Sequence, residues 1–363
     1  MPAGRSLPDF PWDRLAPASA RARAHPGGIV DLSVGTPVDP TPSVAREALT
    51  AAGDAPGYPF TAGTPALREA MTRWAVRRLG APSDVGVLPT IGSKELVGLL
   101  PSLLGLGAGD TVVHPVLAYP TYEVGALLAG AVPLASDEPS AAAGARLVWL
   151  NSPANPTGQV LTAARLRERV DAARAAGAIV VSDECYLDFG WDAEPVSVLS
   201  PQVSDGRLDG LLAVHSLSKR SNLAGYRAGL VLGDPELVAR LLEIRKHAGM
   251  IVPTPVQAAM VACLDDEDHV VAQRARYAAR RAVLRTTLEG GGFRVEHSEA
   301  GLYLWVTRDE PCWATVDALA GVGILVAPGD FYGPAGGRNV RVALTATDER
   351  VGQVAERLAS LAA

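Results

Sequence analysis

Residues 211–219 read LLAVHSLSK, an apolar run followed at once by polar residues. A short apolar run without polar alternation is typical of a strand covered on both faces, as in a parallel sheet between helices. The polar residues that follow would then lie at the carboxyl end of that strand. Ligands of open α/β sheets bind at this edge. The stretch therefore predicts both a fold class and the position of a site.

The same pattern recurs on both sides of this stretch. Further apolar runs, each bounded by Gly, Pro, Ser or Asp, are Thr111–His114, Leu147–Leu150, Ala178–Ser182 and Ala228–Leu232. From about residue 60 onward helical patterns alternate with these runs, and the first helix is well delimited, with Thr64 as a cap, Pro65 in the first turn and Gly80 after the end. We predict an α/β fold with a large domain whose mostly parallel sheet is sandwiched by helices.

Beyond residue 250 the pattern changes to one long polar helix, at about 265–289, and then to short strands. The predicted strands there are Phe293–Val295, Leu302–Val306 and Val340–Leu344. This change predicts a smaller α+β domain. We therefore divide the chain into an N-terminal segment (1–39) that packs with the small domain, a large domain (40–250) and a small C-terminal domain (251–363). A chain of 363 residues is long enough for two such domains.

The composition disfavours several classes of protein. The formal net charge is −6, which argues against a surface for nucleic acid or acidic lipid. Cys185, Cys263 and Cys312 form no C-x-x-C pair and the six histidines show no metal-binding spacing, so we expect no disulfide framework, no metal and a reducing compartment. Residues 1–20 lack the apolar centre of a secretory signal and no stretch is long enough to span a membrane, so we expect a cytoplasmic protein.

Polar clusters follow three of the predicted strands, and a fourth cluster comes soon after the third. They are Asn151–Gly158 (NSPANPTG), Ser182–Tyr186 (SDECY), His215–Lys219 (HSLSK) and Gly225–Gly229 (GYRAG). Taken singly, each has an ordinary structural explanation. A lysine after a strand is usually a solvated surface residue, Asp183 could cap a helix, and Asn155–Gly158 could be a turn.

Taken together, the clusters supply the groups that pyridoxal phosphate requires. Its aldehyde needs an amine, and its ring nitrogen needs a carboxylate that keeps it protonated. Its 3′-oxygen needs hydrogen-bond donors, and its phosphate needs hydroxyl groups, N–H groups at a helix N-terminus and an arginine. The candidates, in the same order, are Lys219, Asp183, Tyr186 with Asn155, and Ser216 with Arg227.

This ordered set resembles the fold-type I pyridoxal-phosphate enzymes of the class I and II aminotransferase group. The matching motifs are Asn155-Pro-Thr-Gly158, Asp183-x-x-Tyr186, Ser216-x-Ser218-Lys219 and Gly225-x-Arg227-x-Gly229. The resemblance covers nearly the whole chain. Further matching segments are Leu32–Pro37, Tyr58–Arg68, Ile91–Glu95, Pro328–Phe331 and Arg341–Leu344.

The resemblance implies catalytic roles for three residues. Lys219 would hold the cofactor as a Schiff base and, once released, would act as the general base that moves a proton between the substrate Cα and C4′. Asp183 would pair with the ring nitrogen. Tyr186, together with Asn155, would bond the 3′-oxygen.

The resemblance also implies how the rest of the cofactor and the substrate are held. Tyr119 would stack on the ring, unless it packs under the sheet. Arg341 would bind the substrate α-carboxylate in a bidentate fork, beside Gly35 and Asn155; the alternative is a charge on an edge strand. The phosphate would be held by the backbone amides of Ser93 and Lys94, the side chains of Ser216, Ser218 and Arg227, and Tyr58 of a partner subunit in a homodimer.

The cofactor is better identified than the reaction. The group also includes C–S lyases, decarboxylases and acyl transferases, so the fold by itself does not determine the reaction. Some transcriptional regulators use a related domain to sense a ligand. Those regulators carry a basic helix-turn-helix region before the domain, which we do not expect here because only about 30 residues precede the core.

Several segments look like the actinobacterial succinyldiaminopimelate aminotransferases. They are Leu7–Asp13, Asp31–Asp39, Asp54–Pro59 and Gly92–Leu96. This likeness implies transfer between N-succinyl-LL-diaminopimelate and 2-oxoglutarate in lysine biosynthesis, with glutamate as the amino donor. The alternatives are an aspartate, LL-diaminopimelate or other amino-acid aminotransferase. The matching positions do not identify a group for the distal carboxylate of the substrate.

Overall fold

The computed structural model describes residues 7–361, so residues 1–6 of the N-terminal segment and residues 362–363 of the small domain lie outside it. The described strands are β1 (Val30–Asp31), β2 (Gly86–Ile91), β3 (Thr111–His114), β4 (Val132–Ala135), β5 (Ala145–Asn151), β6 (Ile179–Asp183), β7 (Leu211–Ser216), β8 (Ala228–Gly233), β9 (Arg294–Glu296), β10 (Tyr303–Thr307), β11 (Ile324–Leu325), β12 (Ala327–Pro328) and β13 (Asn339–Ala343). The described helices are α1 (Ala16–Arg23), α2 (Ser43–Ala51), α3 (Pro65–Trp74), α4 (Gly92–Leu103), α5 (Thr121–Ala129), α6 (Ala163–Ala175), α7 (Pro201–Ser204), α8 (Leu217–Arg220), α9 (Pro235–Ala248), α10 (Thr254–Asp265), α11 (Asp268–Gly290), α12 (Cys312–Gly321), α13 (Asp348–Gly352) and α14 (Val354–Ala359).

The larger part of the molecule is a seven-stranded sheet with the order β2-β8-β7-β6-β5-β3-β4. The neighbours from β7 to β4 are parallel, and only β8 runs antiparallel to its neighbours β7 and β2. Two buried clusters cover the sheet, one containing Trp74 and the other Trp149. The mostly parallel sheet sandwiched by helices is therefore confirmed.

The five apolar runs correspond to β3, β5, β6, β7 and β8, whereas β2 and β4 were not predicted. Those two strands are the edges of the sheet. Strand β2 contains Pro89, which is tolerated on an edge, and the side chains of Val132 and Leu134 in β4 are exposed. Strand β4 lacks burial on both faces, and in β2 the buried residues include Pro89 and Thr90, so the continuous apolar pattern that revealed the central strands is absent from both.

Helix α3 begins where the sequence predicts. The Thr64 hydroxyl accepts a hydrogen bond from the backbone N–H of Leu67 at 3.2 Å. The helix continues through a π turn (Ala75–Leu79) and ends at Gly80, whose φ of 70° is left-handed. Glycine adopts that conformation without the steric cost of a side chain, which explains the termination.

The smaller part contains the four-stranded antiparallel sheet β12-β13-β10-β9 and the parallel pair β1-β11. Leu15 and Val30 of the N-terminal segment share a buried cluster with Trp305 of this sheet. Helix α10, beyond residue 250, instead packs into the core of the large sheet through Met260 and Cys263. The three-part division remains a prediction, and this packing favours a boundary after α10.

Candidate active site

A cavity of about 700 Å³ opens at the carboxyl ends of β5, β6 and β7. Every predicted site residue except Tyr58 lines it. These residues are Gly35, Ser93, Lys94, Tyr119, Asn155, Asp183, Tyr186, Ser216, Ser218, Lys219, Arg227 and Arg341. The parallel strands explain the convergence, because their carboxyl ends meet at one edge of the sheet.

Tyr58 lies outside the cavity of its own chain, and its side chain is 98% exposed. Nearby Phe60 is also largely exposed, at 66%. Large apolar side chains exposed together are typical of a protein interface. The exposure of Tyr58 is compatible with its predicted role in the site of a partner subunit, and that role remains a prediction.

Lys219 lies in the single turn α8, directly after β7. The Ser216 hydroxyl caps that turn by accepting a hydrogen bond from the N–H of Ser218 at 3.1 Å. The Lys219 ammonium donates a hydrogen bond to the carbonyl of Gly35. Burial lowers the pKa of Lys219, because the charged form is poorly solvated in the cavity. A lower pKa favours the neutral amine, which is the form that attacks an aldehyde.

The other two lysines of the sequence are placed differently. Lys94 is exposed at the start of α4, with its ammonium 5.5 Å from the centroid of the Phe10 ring. Lys246 is exposed on α9 and pairs with Glu243 at 2.6 Å. Lys219 is therefore the lysine whose amine is positioned inside the cavity.

Asp183 ends β6 with its carboxylate buried and facing the cavity. It accepts hydrogen bonds from the Tyr122 hydroxyl at 2.9 Å and from the Cys185 N–H at 3.2 Å. Neither donor is charged, and burial raises the pKa of Asp183 in spite of them. A protonated ring nitrogen would supply the missing opposite charge, so the residue fits the predicted cofactor.

Arg341 extends from β13 into the cavity and is buried. Its guanidinium donates to the Asn155 Oδ1 at 2.8 Å and to the Ser33 carbonyl at 2.7 Å. Both partners are uncharged, and Nε has no hydrogen-bond partner within the described part of the chain. A buried guanidinium that lacks a carboxylate is costly unless a ligand supplies one. The arrangement fits the binding of a substrate carboxylate.

Two tyrosines lie between Arg341 and the cofactor groups. The hydroxyl groups of Tyr186 and Tyr303 are 2.9 Å apart, and the Arg341 guanidinium lies 3.9 Å from the centroid of the Tyr303 ring. Burial opposes ionisation of Tyr303, but the charges of Arg341 and Lys219 outweigh it and lower the pKa of Tyr303. Burial raises the pKa of Tyr186 well above its ordinary value. Either hydroxyl can donate in this hydrogen bond, so the Tyr186 hydrogen is free for another acceptor when Tyr303 donates.

A cradle for an anion lies at the N-terminus of α4. Gly92 begins the helix with a φ of 70°, and a Cβ there would lie 2.7 Å from the Arg227 Cζ. A Cβ on Gly229 would lie 2.9 Å from the backbone nitrogen of Ser93. The two glycines thus allow an arginine and a strand to approach the unpaired N–H groups of a helix end. The cradle fits a phosphate.

Tyr119, the residue predicted to stack on the cofactor ring, and Cys185 both line the cavity. Burial raises the pKa of Tyr119 to about 12, so its hydroxyl stays protonated near neutral pH. Tyr119 also meets Tyr122 edge-to-face at a centroid distance of 5.8 Å. The described residues contain no group of three or more His, Cys, Asp or Glu side chains arranged to hold a metal ion.

Sequence reasoning missed several residues of the site. One is Tyr122, which donates to Asp183 from the first turn of α5; Tyr119 precedes that helix, so helical spacing gives no signal that relates the two tyrosines. Phe10, Trp12 and Tyr303 also line the cavity or contact its residues, and no local pattern distinguishes them from core aromatics.

No helix among residues 7–361 is long and apolar enough to cross a membrane. The model of the family described as aminotransferase class I and II matches residues 28–358. A 4-dedimethylamino-4-oxo-anhydrotetracycline transaminase of Streptomyces rimosus is 61% identical, over 98% of this chain and 99% of the relative. A probable aminotransferase of Mycobacterium tuberculosis is 62% identical, over 97% and 85% respectively. A solved structure of a probable N-succinyldiaminopimelate aminotransferase from Thermus thermophilus is 28% identical with a TM-score of 0.87, over 97% of this chain and 100% of the other.

Proposed function

The chain belongs to the class I and II aminotransferase family and is a pyridoxal-phosphate-dependent transaminase, and from this premise we propose that it transfers the amino group of an α-amino acid to a 2-oxo acid at Lys219. The observation that carries this proposal is Arg341. Its buried guanidinium shares a cavity with the Lys219 amine and has only uncharged partners. An α-carboxylate is the group common to both substrate classes, and it matches the planar fork of an arginine.

Four side chains would act on the reacting part of the substrate and cofactor. When bound, the cofactor supplies an aldehyde for the amino group and a ring that accepts electrons. Lys219 would hold the cofactor and then move a proton at its Nζ. Asp183 would keep the ring nitrogen protonated. Asn155, whose Oδ1 is engaged by Arg341, keeps its Nδ2 for the 3′-oxygen, and Tyr186 would add a second donor.

The remaining predicted residues would hold the cofactor in place. Tyr119 would stack on its ring from one side. The phosphate would be bound by the N–H groups of Ser93 and Lys94, the side chains of Ser216, Ser218 and Arg227, and Tyr58 of a second copy. The exposure of Tyr58 supports this last role, since a side chain that is 98% exposed is available to another chain. The active unit would be a homodimer with shared sites.

For the substrate we propose N-succinyl-LL-diaminopimelate, with 2-oxoglutarate as the amino acceptor. Both molecules carry a second carboxylate far from the reacting carbon. Lys94 lines the cavity and is exposed, and its ammonium lies 5.5 Å from the centroid of the ring of Phe10, another lining residue, so it offers a cation to that group. The three other cations of the lining, Lys219, Arg227 and Arg341, already have roles. The Thermus structure named above is consistent with this substrate.

A second candidate is amination of a ketone on a fused-ring skeleton, the substrate type in the name of the Streptomyces relative. Phe10 and Trp12 line the cavity and offer aromatic faces to such a skeleton. Transfer to or from aspartate or LL-diaminopimelate, and C–S lyase chemistry, remain further outcomes of the test below.

The location in the cell would be cytoplasmic. Cys185, Cys263 and Cys312 are free in the structure, and three unpaired thiols suit a reducing compartment.

A half-reaction screen tests the substrate. Purified holoenzyme is mixed with one amino donor at a time, and loss of the visible absorbance of the bound cofactor is followed. The donors are N-succinyl-LL-diaminopimelate, LL-diaminopimelate, glutamate, aspartate and a 4-amino-anhydrotetracycline. We expect the succinylated donor and glutamate to react with the highest kcat/KM. Fastest reaction with the tetracycline would favour the second candidate, and release of pyruvate and ammonia from a sulfur amino acid would favour a lyase.

A further inference from the structure

The three residues that follow Lys219 all direct their side chains to one place, the junction between α10 and α11. Arg220 donates to the Cys263 carbonyl at 2.7 Å and pairs with Glu267 at 2.8 Å. Ser221 forms a hydrogen bond with His269 at 2.8 Å, and Asn222 donates one to Gln273 at 3.0 Å. A lysine that must hold a cofactor is thus followed by three consecutive anchors to the same helix pair.

Ser221, His269 and Asp266 form a hydrogen-bonded chain. Asp266 accepts from the His269 Nδ1 at 2.5 Å, and this bond leaves Nε2 to accept the hydroxyl hydrogen of Ser221. The arrangement resembles a hydrolytic triad, but Ser221 is 0% exposed and no substrate can reach its hydroxyl. The chain therefore holds a position instead of attacking a substrate.

The Asn222 branch reaches the other wall of the cavity. Gln273 accepts a hydrogen bond from the Asn222 side-chain amide and donates one to the Asp39 carboxylate at 2.7 Å. Arg280 donates two further hydrogen bonds to the same carboxylate, at 2.6 and 2.8 Å. Asn222 also donates to the Pro40 carbonyl at 3.2 Å. Both arms of the network thus pass through α11, at His269 and at Gln273.

Asp39 ends the segment 33–39, which forms that second wall. Its Gly35 carbonyl accepts the hydrogen bond of Lys219, and its Ser33 carbonyl accepts that of Arg341. The segment therefore contacts both the lysine and the arginine that the proposed reaction requires.

We propose that Ser221 and His269, with the branch Asn222–Gln273–Asp39, form a clasp that fixes the Lys219 turn against the segment 33–39. Ser221, His269 and Gln273 are then positioning residues that act on the reaction through Lys219. The inference deepens the proposed function and rests on it, since it assumes that Lys219 carries the cofactor.

Loosening the clasp has a predictable electrostatic effect. Lys219 has a pKa below its ordinary value because burial disfavours its charged form, and Arg341 and Arg227 add to that effect. In the holoenzyme the same nitrogen would be part of the Schiff base, and its protonated form would face the same buried surroundings. A mobile turn admits water, which solvates that protonated form, so protonation becomes easier and the pKa of the Schiff-base nitrogen rises. The charged groups that face His269 itself are Asp266, Glu267 and Arg220.

The test is a pH titration of the visible absorbance of the bound cofactor in four holoenzyme variants. They are Ser221→Ala, His269→Asn, the double variant and the control Arg285→Ala. Arg285 lies on the same helix α11, and its partly exposed side chain pairs with Glu289 at 3.0 Å and with Asp192 at 3.4 Å. We expect the midpoint to rise by roughly half to one pH unit in each single variant, the equivalent of one lost hydrogen bond. The double variant should match the single ones, and the control should match the wild type.

The outcomes separate the clasp from a general effect on stability. A fall in Tm with a wild-type midpoint in Ser221→Ala and His269→Asn would overturn the proposal. Ser221→Ala removes one oxygen atom and adds no heavy atom. If Ser221→Ala does not fold, the midpoint measured in His269→Asn tests the clasp independently. Absence of a cofactor absorbance in the wild-type holoenzyme would instead contradict the proposed function, so the two failures are distinguishable.

Discussion

The cavity has two walls that are built in different ways. The cofactor wall comes from the ends of β5, β6 and β7 and carries Asn155, Asp183 and Lys219, all within one continuous part of the chain. The substrate wall joins segments far apart, as in the hydrogen bond between Arg341 and Ser33, which are 308 positions apart. The cofactor wall rests on one central sheet, whereas the substrate wall joins Arg341 of β13, in the four-stranded sheet, to the segment 33–39 that follows the two-residue strand β1. The geometry of the first wall is therefore set within one sheet, and that of the second depends on contacts between separate parts of the chain.

The largest expected effect lies on the cofactor wall, at Lys219. Lys219→Ala removes both the anchor and the proton carrier, so turnover should fall by about 10³-fold or more. The visible absorbance of the covalently bound cofactor should disappear as well. Lys246→Ala, on an exposed helix face, serves as the control. An unchanged absorbance in Lys219→Ala would contradict the assignment.

The next largest effect on turnover is expected at Asp183. Asp183→Asn leaves the shape of the wall but removes a buried charge from the ring nitrogen, so kcat should fall by about 10²-fold. Tyr122→Phe provides a graded comparison, because it removes a single hydrogen bond of about 1 kcal/mol to the same carboxylate. Equal rates for wild type and Asp183→Asn would mean that another carboxylate serves the ring.

On the substrate wall, Arg341→Lys should lower kcat/KM for amino acids by roughly 10- to 100-fold, since a point charge replaces a bidentate fork. The cofactor absorbance should keep its wild-type intensity, because the arginine contacts the substrate side. Loss of bound cofactor in this variant would show that the two walls are not separable.

The smallest effect is expected at the mouth of the cavity. Lys94→Ala should raise KM about 5- to 10-fold for donors with a distal carboxylate, the value of an exposed ion pair together with a hydrogen bond. KM for alanine, which lacks that carboxylate, should not change. Equal increases in KM for both donors would mean that the Lys94 side chain serves the cofactor instead of the substrate.

The difference between the walls also explains what the sequence could predict. The central strands are buried on both faces, so β3 and β5 to β8 were predictable from local pattern, and the polar motifs after β5, β6 and β7 revealed their site residues. Edge strand β4 lacks that burial, and in edge strand β2 the buried run is interrupted by Pro89 and Thr90, so both strands were missed. Phe10, Trp12 and Tyr303 were missed for another reason, since their proximity to the site arises only from tertiary contacts between distant segments.

The domain boundary, which remains a prediction, rests on a similarly local signal. Helix α10 follows the break at Pro253 and Pro255 and so seemed to begin the small domain, yet it packs on the large one through Met260 and Cys263. A proline indicates where a helix ends but does not indicate which hydrophobic core the next helix packs into.

The measurement that tests the account most directly is the site of cofactor attachment. The holoenzyme is reduced with borohydride, digested, and its peptides are mapped by mass spectrometry for the cofactor-modified lysine. The chain contains only Lys94, Lys219 and Lys246, so the result is unambiguous. The account predicts modification of Lys219 alone. Modification of Lys94 or Lys246 in its place, or of no lysine, would contradict it.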